Sequence, residues 1–172
     1  MKSGKRITCG TAAFDMPSTR LVGMVVVMIL TFGIGTTSGR AQGPPSDVHE
    51  TFTVDGICDF PVLVEIQGKQ GIIGLPGDRL LVTAPAETVT LTNLADPTRS
   101  ETISITGAFH LTFAENGDTT FVVTGRNLLI GLDPDPFVIT IGTFTFVTDD
   151  AGNQLEPLSG SGRVVNVCQL LN

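Results

Sequence analysis

The segment "ETVTLTNL" (Glu87 to Leu94) sets Val89 and Leu91 against Thr88, Thr90 and Thr92, the two-residue period of a strand with one apolar face. The same period recurs along the chain. "ETFTVDG" alternates Phe52 and Val54 with polar neighbours, and "FPVLVEIQG" puts Phe60, Val62, Val64 and Ile66 in phase with Cys58. "DRLLVTAP", "ETISITGAFHLTF", "TTFVVTG", "PFVITIGTFTFVT" and "RVVNVC" extend the pattern, separated by the turn clusters "LPGD", "LADPTRS", "AENGD", "LDPDP", "TDDAGN" and "LSGSG". Gly, Asp, Asn, Pro and Ser dominate these clusters, as tight turns require. The reading is all-β, with eight to ten strands and no amphipathic helix.

An internal repeat points to hairpins. "GAFHLTFAENGD" (Gly107 to Asp118) aligns with "GTFTFVTDDAGN" (Gly142 to Asn153), and "TGR" (Thr124 to Arg126) with "SGR" (Ser161 to Arg163). Each unit reads as strand, acidic turn, and a strand ending in Gly-Arg. Two such units in succession make an antiparallel meander rather than a parallel βαβ sheet. A single apolar face must be covered or curled upon itself. The expectation is one antiparallel β-barrel, with a two-sheet sandwich as the alternative.

Charge divides the chain into a basic leader and an acidic body. Residues 1–41 hold Lys2, Lys5, Arg6, Arg20 and Arg40 against Asp15, a net of +4, whereas the rest carries −11 of the overall −7. The apolar run from Leu21 to Ile34 is about fourteen residues long, short of the roughly 20 that span a bilayer. Small residues Gly39 and Ala41 follow it. This is the plan of a secretory signal peptide over 1–41, cut between Ala41 and Gln42. Translation from Met16 would keep that plan and remove Cys9. The alternative is an uncleaved membrane anchor; otherwise the membrane is met only in transit. "QGPPSDVH" (42–49) reads as a flexible entry segment and 50–172 as the β-domain.

With the leader gone, two cysteines remain, Cys58 and Cys168. In an oxidising compartment they form one disulfide, tying the first strand of the body to the last and favouring closure of the sheet. No Cys-x-x-Cys spacing or nearby ligand set supports a metal or redox role.

The segments "CDFPVLVEIQGK", "VTLTNL", "ISITGAF", "TGRNLL", "GTFTFVTDDAGN" and "GSGRVVNVCQLL" resemble a group of small exported, uncharacterised proteins of actinobacterial type. These carry a leader, a Cys-x-Phe-Pro opening and a Gly-Arg-Val…Cys close. The resemblance covers about residues 57–171. It supports the same boundaries and the same disulfide, and implies no activity.

Chemistry is sparse. His49 lies in the entry segment and His110 alternates outward from Phe109 and Leu111. The body's serines form no Gly-x-Ser-x-Gly elbow. Asp133, Asp135, Asp149 and Asp150 cluster in loops; turn service accounts for them, with a loose Ca²⁺ site as the competing reading. The chain has no Trp or Tyr, the platforms sugar sites lean on. Scattered basic residues in an acidic body exclude phosphate-backbone binding. No catalytic residue and no cofactor are assigned. The expectation is a secreted or cell-surface, non-enzymatic β-domain that binds a small apolar ligand or an envelope component. The alternatives are a structural or adhesive surface protein and an enzyme of unrecognised type.

Overall fold

A computed structural model describes residues 43–172, so the expected leader and the expected Ala41/Gln42 cleavage site lie outside the described residues. The strands are β1 (Ser46–Val54), β2 (Val62–Leu75), β3 (Arg79–Thr83), β4 (Thr88–Asn93), β5 (Ser100–Ser104), β6 (Gly107–Phe113), β7 (Thr119–Ile130), β8 (Phe137–Thr148) and β9 (Gln154–Asn166), followed by a one-turn helix α1 (Val167–Leu170). They form a single nine-stranded sheet in which every ladder is antiparallel.

Register shows that β3 and β4 are two halves of one bent strand. β2 pairs with β3 from Leu75↔Arg79 to Gly71↔Thr83, and with β4 from Gln67↔Thr88 to Val62↔Asn93. Residues 68–70 therefore face residues 84–87, one more than themselves, which is a bulge that bends the strand. β5 and β6 follow the same line along β4 and β3. The chain is thus a meander, as the repeat implied. Its two units are the hairpins β6–β7 and β8–β9, with matching turns. Ala114 N–H reaches Asp118 O at 2.8 Å, and Asp149 N–H reaches Asn153 O at 2.9 Å.

The expected barrel does not close. Among the described residues β1 pairs only with β2, β5 only with β4 and β9 only with β8. Across the sheet runs a row of glycines directly opposite one another, Gly107–Gly125–Gly142–Gly162, the same glycines that head and end each repeat. Gly125 has φ 81° and Gly142 φ 140°, a region closed to residues with a Cβ. A Cβ at Gly125 would stand 2.8 Å from Thr106 O, and one at Gly142 2.8 Å from Gly162 Cα. The hairpin β7–β8 folds sharply here instead of continuing beside β5. About 36 Å of straight strand would separate Phe137 from Thr148. Yet Asp133, in the turn before Phe137, donates its N–H to Gln154 Oε1 at 2.6 Å, and Gln154 is the register partner of Thr148.

The folded-back half of the hairpin becomes a middle layer. On one face Leu128, Ile130, Phe137 and Ile139 join Val62, Val64, Val89 and Leu91 in one core. On the other, Leu129, Leu132 and Val138 join Leu111, Phe121 and Phe146 in a second. Burial on both faces explains why "PFVITI" reads as a near-continuous apolar run.

Two further expectations change. Ser46–His49 is paired strand, opposite Gln70–Gln67, so the entry segment is shorter than 42–49. Cys58 and Cys168 are bonded, with Cα atoms 5.3 Å apart, but they join the β1–β2 connection to α1 rather than two neighbouring strands. Asn93 seals that corner. Its side chain donates to Leu171 O at 3.2 Å and accepts from the Ala95 and Asp96 N–H groups at 2.8 and 3.1 Å.

Candidate functional site

The bend leaves a cleft where the folded hairpin meets the inner face of β1 and β2. Period two selects what lines it. On β1 the inward phase is Val48, Glu50 and Phe52; on β2 it is Ile66, Gln70 and Ile72. The opposite wall is the free edge of β7, with Asn127, Leu128, Leu129 and Ile130. Ala84, Glu87 and Ile105 close the end at the strand bulge. The cavity measures about 130 Å³, close to the roughly 150 Å³ of an apolar cavity known to take benzene.

Glu87 is the unusual member of this lining. It continues the inward series Val89 and Leu91 of β4 and is only 7% exposed. Its backbone is pinned, since Glu87 O accepts Ile105 N–H at 2.9 Å. The link Ala84–Glu87 presses onto Gly68, where a Cβ would stand 2.5 Å from Glu87 Cα. Among the described residues no side-chain hydrogen bond or ion pair reaches the Glu87 carboxyl, and its oxygens keep contact with the open space of the cleft rather than being sealed without a partner. Burial in apolar surroundings, with the nearby Glu50 carboxylate adding to it, pushes the Glu87 carboxyl up to about 7.

Other polar groups reach the cleft from β7. Asn127 is 3% exposed and donates to Thr124 O at 3.1 Å. Arg126 N–H turns away from β8 to Thr106 O. The alternation of an antiparallel ladder then turns the backbone amides of Leu128 and Ile130 to that same open side.

A stability prediction arises here. Glu87 holds its proton in the folded chain up to about pH 7, whereas an unfolded glutamate loses it near 4.3. Between these values the native state binds more protons than the unfolded state. The Glu87 contribution is therefore full below about pH 4 and is lost as pH rises to 7, at most about 4 kcal/mol in all and less as water in the open cleft screens the charge. Glu87→Gln should remove that fall and leave the variant the more stable at pH 8. Urea denaturation at pH 5 and pH 8 reads the difference.

The residues singled out for metal or acid–base chemistry do not converge. Asp149 accepts from Asn153 N–H and Nδ2 at 2.7 and 2.8 Å, and these bonds hold its carboxyl below the usual range. Asp133 contacts Gln154 through its backbone, and Asp150 lies against Gly117 of the neighbouring turn. With Asp135 included, no group of three or more His, Cys, Asp or Glu side chains suited to a metal exists among the described residues. Turn service accounts for Asp149. His49 and His110 are both exposed, outside the cleft.

Sequence reasoning passed over Glu50, Glu87 and Asn127. The signal was phase: in "ETVTLTNL" Glu87 stands in register with Val89 and Leu91 rather than with the threonines, and in "HETFTV" Glu50 stands with Phe52 and Val54. A carboxylate on the apolar phase of a strand is either misplaced or aimed at something. No family model, curated protein or solved structure matches the chain.

Proposed function

We propose that this protein is an exported, non-enzymatic binding domain that holds a small, largely apolar molecule in the cleft between β1–β2 and the folded β7–β8 hairpin. The observation that carries this reading is the cleft itself, apolar on most sides with a few converging polar groups. That is the usual composition of a small-molecule site. The basic leader with its short apolar run supports export.

Toluene, small enough for the cavity, is the probe. Titrated into isotopically labelled protein, it should shift the methyl resonances of Ile66, Leu128 and Ile130 saturably, and leave those of Val62 and Val167 unmoved. Ala84→Leu, which fills the closed end, should abolish the shifts. Absence of saturable shifts in the wild-type protein would overturn the reading.

A second reading, a structural or adhesive surface protein, draws on β9. Among the described residues its outer edge is unpaired, with Leu155 53% and Val164 40% exposed. However, Pro157 and the register shifts between Thr145 and Thr148 interrupt this edge, the devices that keep an edge from accepting another strand. The cleft is the better-built site.

A further inference from the structure

We propose that the natural ligand is a small organic cation, an amine with a compact apolar body, whose ammonium group sits between Glu50 and Glu87 while its body rests on Phe52, Ile66, Leu128 and Ile130. This rests on the cleft being a ligand site and adds the class of ligand.

Charge is the first argument. Among the described residues, two carboxyl side chains line the cavity and no Lys, Arg or His side chain does. The bases nearby are engaged elsewhere. Lys69 pairs with Asp47 at 3.1 Å, both outside the cavity lining, and Arg126 Nη1 donates to Ser104 O at 3.3 Å. Among the remaining elements packed on the cavity, β3 contributes Val82 and Thr83, β6 contributes Phe109 and Leu111, and β8 contributes Phe146. None of these is ionisable, so among the described residues Glu50 and Glu87 are the ionisable side chains of the cleft.

Burial is the second. Glu87 as a residue is 7% exposed and its carboxyl opens onto a mostly apolar cleft, so ionising it there costs stability in the empty protein. A cation inside the same cavity is the group that offsets that cost, because opposite charges at hydrogen-bond distance interact more strongly where water is excluded. A neutral hydrocarbon would leave the carboxyl as it was. A carboxylate ligand would add a third negative group to two existing ones.

The proton balance follows. Below pH 7 the entering ammonium ion meets a protonated Glu87. Binding drives the Glu87 proton into solvent, and the complex holds one ammonium against two carboxylates. Above pH 8 Glu87 is already ionised and no proton is released. Affinity for the amine should therefore rise with pH between 6 and 8 and then level, provided the amine itself stays protonated.

Benzylamine, benzyl alcohol and toluene test this, since they share a ring and differ in charge and hydrogen bonding. Titration calorimetry on the full body, in two buffers of different ionisation enthalpy, reads affinity and proton release together. Benzylamine should bind at least about tenfold tighter than benzyl alcohol at pH 8, the size expected of a charge-assisted contact. It should bind more weakly at pH 6 and release close to one proton there. Glu87→Gln and Glu50→Gln should each cut benzylamine affinity about tenfold and shrink its advantage over benzyl alcohol. Glu87→Gln should also flatten the pH dependence. If toluene binds while benzylamine binds no tighter than benzyl alcohol, the cation is overturned and the apolar cleft stands. If none of the three binds, both fall together.

Discussion

Replacing Cys58 and Cys168 with serine should lower the free energy of unfolding by about 4 kcal/mol, close to the value for a bridge that closes a loop of this size. The two residues are 110 positions apart, so the bond restricts nearly the whole folded body in its denatured state. A single domain typically has a net stability of about 5–15 kcal/mol, and the loss would be a large part of it. In urea, with a slope of about 2 kcal/mol/M, the midpoint should fall by about 2 M. Cys58→Ser alone, Cys168→Ser alone and the double variant should lose the same amount, because the bridge is one unit. The local geometry adds to the effect. Without the bond, α1 and the β1–β2 connection are held together by the packing of Ile57 and Phe60 near Val167 and Leu171 and by the Asn93 bond to Leu171 O. A double variant within 1 kcal/mol of the wild type would show that this corner is held by packing and that the long loop contributes nothing.

Much of this architecture is legible in the residues, and the unread part has one physical origin. Alternation in "ETFTV", "FPVLVEI" and "TTFVVTG" marks strands because a two-residue period is a local property of the backbone. The repeat marks the hairpins β6–β7 and β8–β9, because a tight turn writes itself into a few consecutive residues such as "ENGD" and "DDAGN". The cysteine pair is legible because Cys58 and Cys168 are the two cysteines outside the basic N-terminal segment. The bend is different. Gly107, Gly125, Gly142 and Gly162 are scattered along the chain and become a row only once register sets them opposite one another. Without register, Gly125 and Gly142 look like ordinary strand glycines and the sheet looks free to close. Glu87 was hidden for the same reason. Its phase is visible beside Val89, but the meaning of that phase depends on the hairpin folding back to bury it.

The bend and the cleft are therefore one feature of the fold. β7 has an open edge facing β1 and β2 because the sheet folds along the glycine row, and the cavity is the space left beside that edge. A change that straightens the row should remove site and stability together.

Gly142→Ala tests that coupling. A Cβ at this position would lie 2.8 Å from Gly162 Cα and nearer still to Ser161 O, both backbone atoms that cannot swing aside. The residue also sits at φ 140°, where a side chain is strained. Backbone strain of roughly 1–3 kcal/mol and overpacking of about the same size should together cost about 3 kcal/mol or more. The control is Gly74→Ala on β2, where a Cβ would meet nothing within 4 Å and φ lies outside the positive region. That substitution should leave stability unchanged or raise it by about 0.4–1 kcal/mol, by restricting the unfolded chain. Thermal denaturation separates the pair, and toluene titration gives the second readout. Gly74→Ala should retain the methyl shifts of Leu128 and Ile130, and Gly142→Ala should lose them even below its own melting range. Equal stability in the two variants would mean that the row tolerates a methyl group, and the fold along it would need another cause.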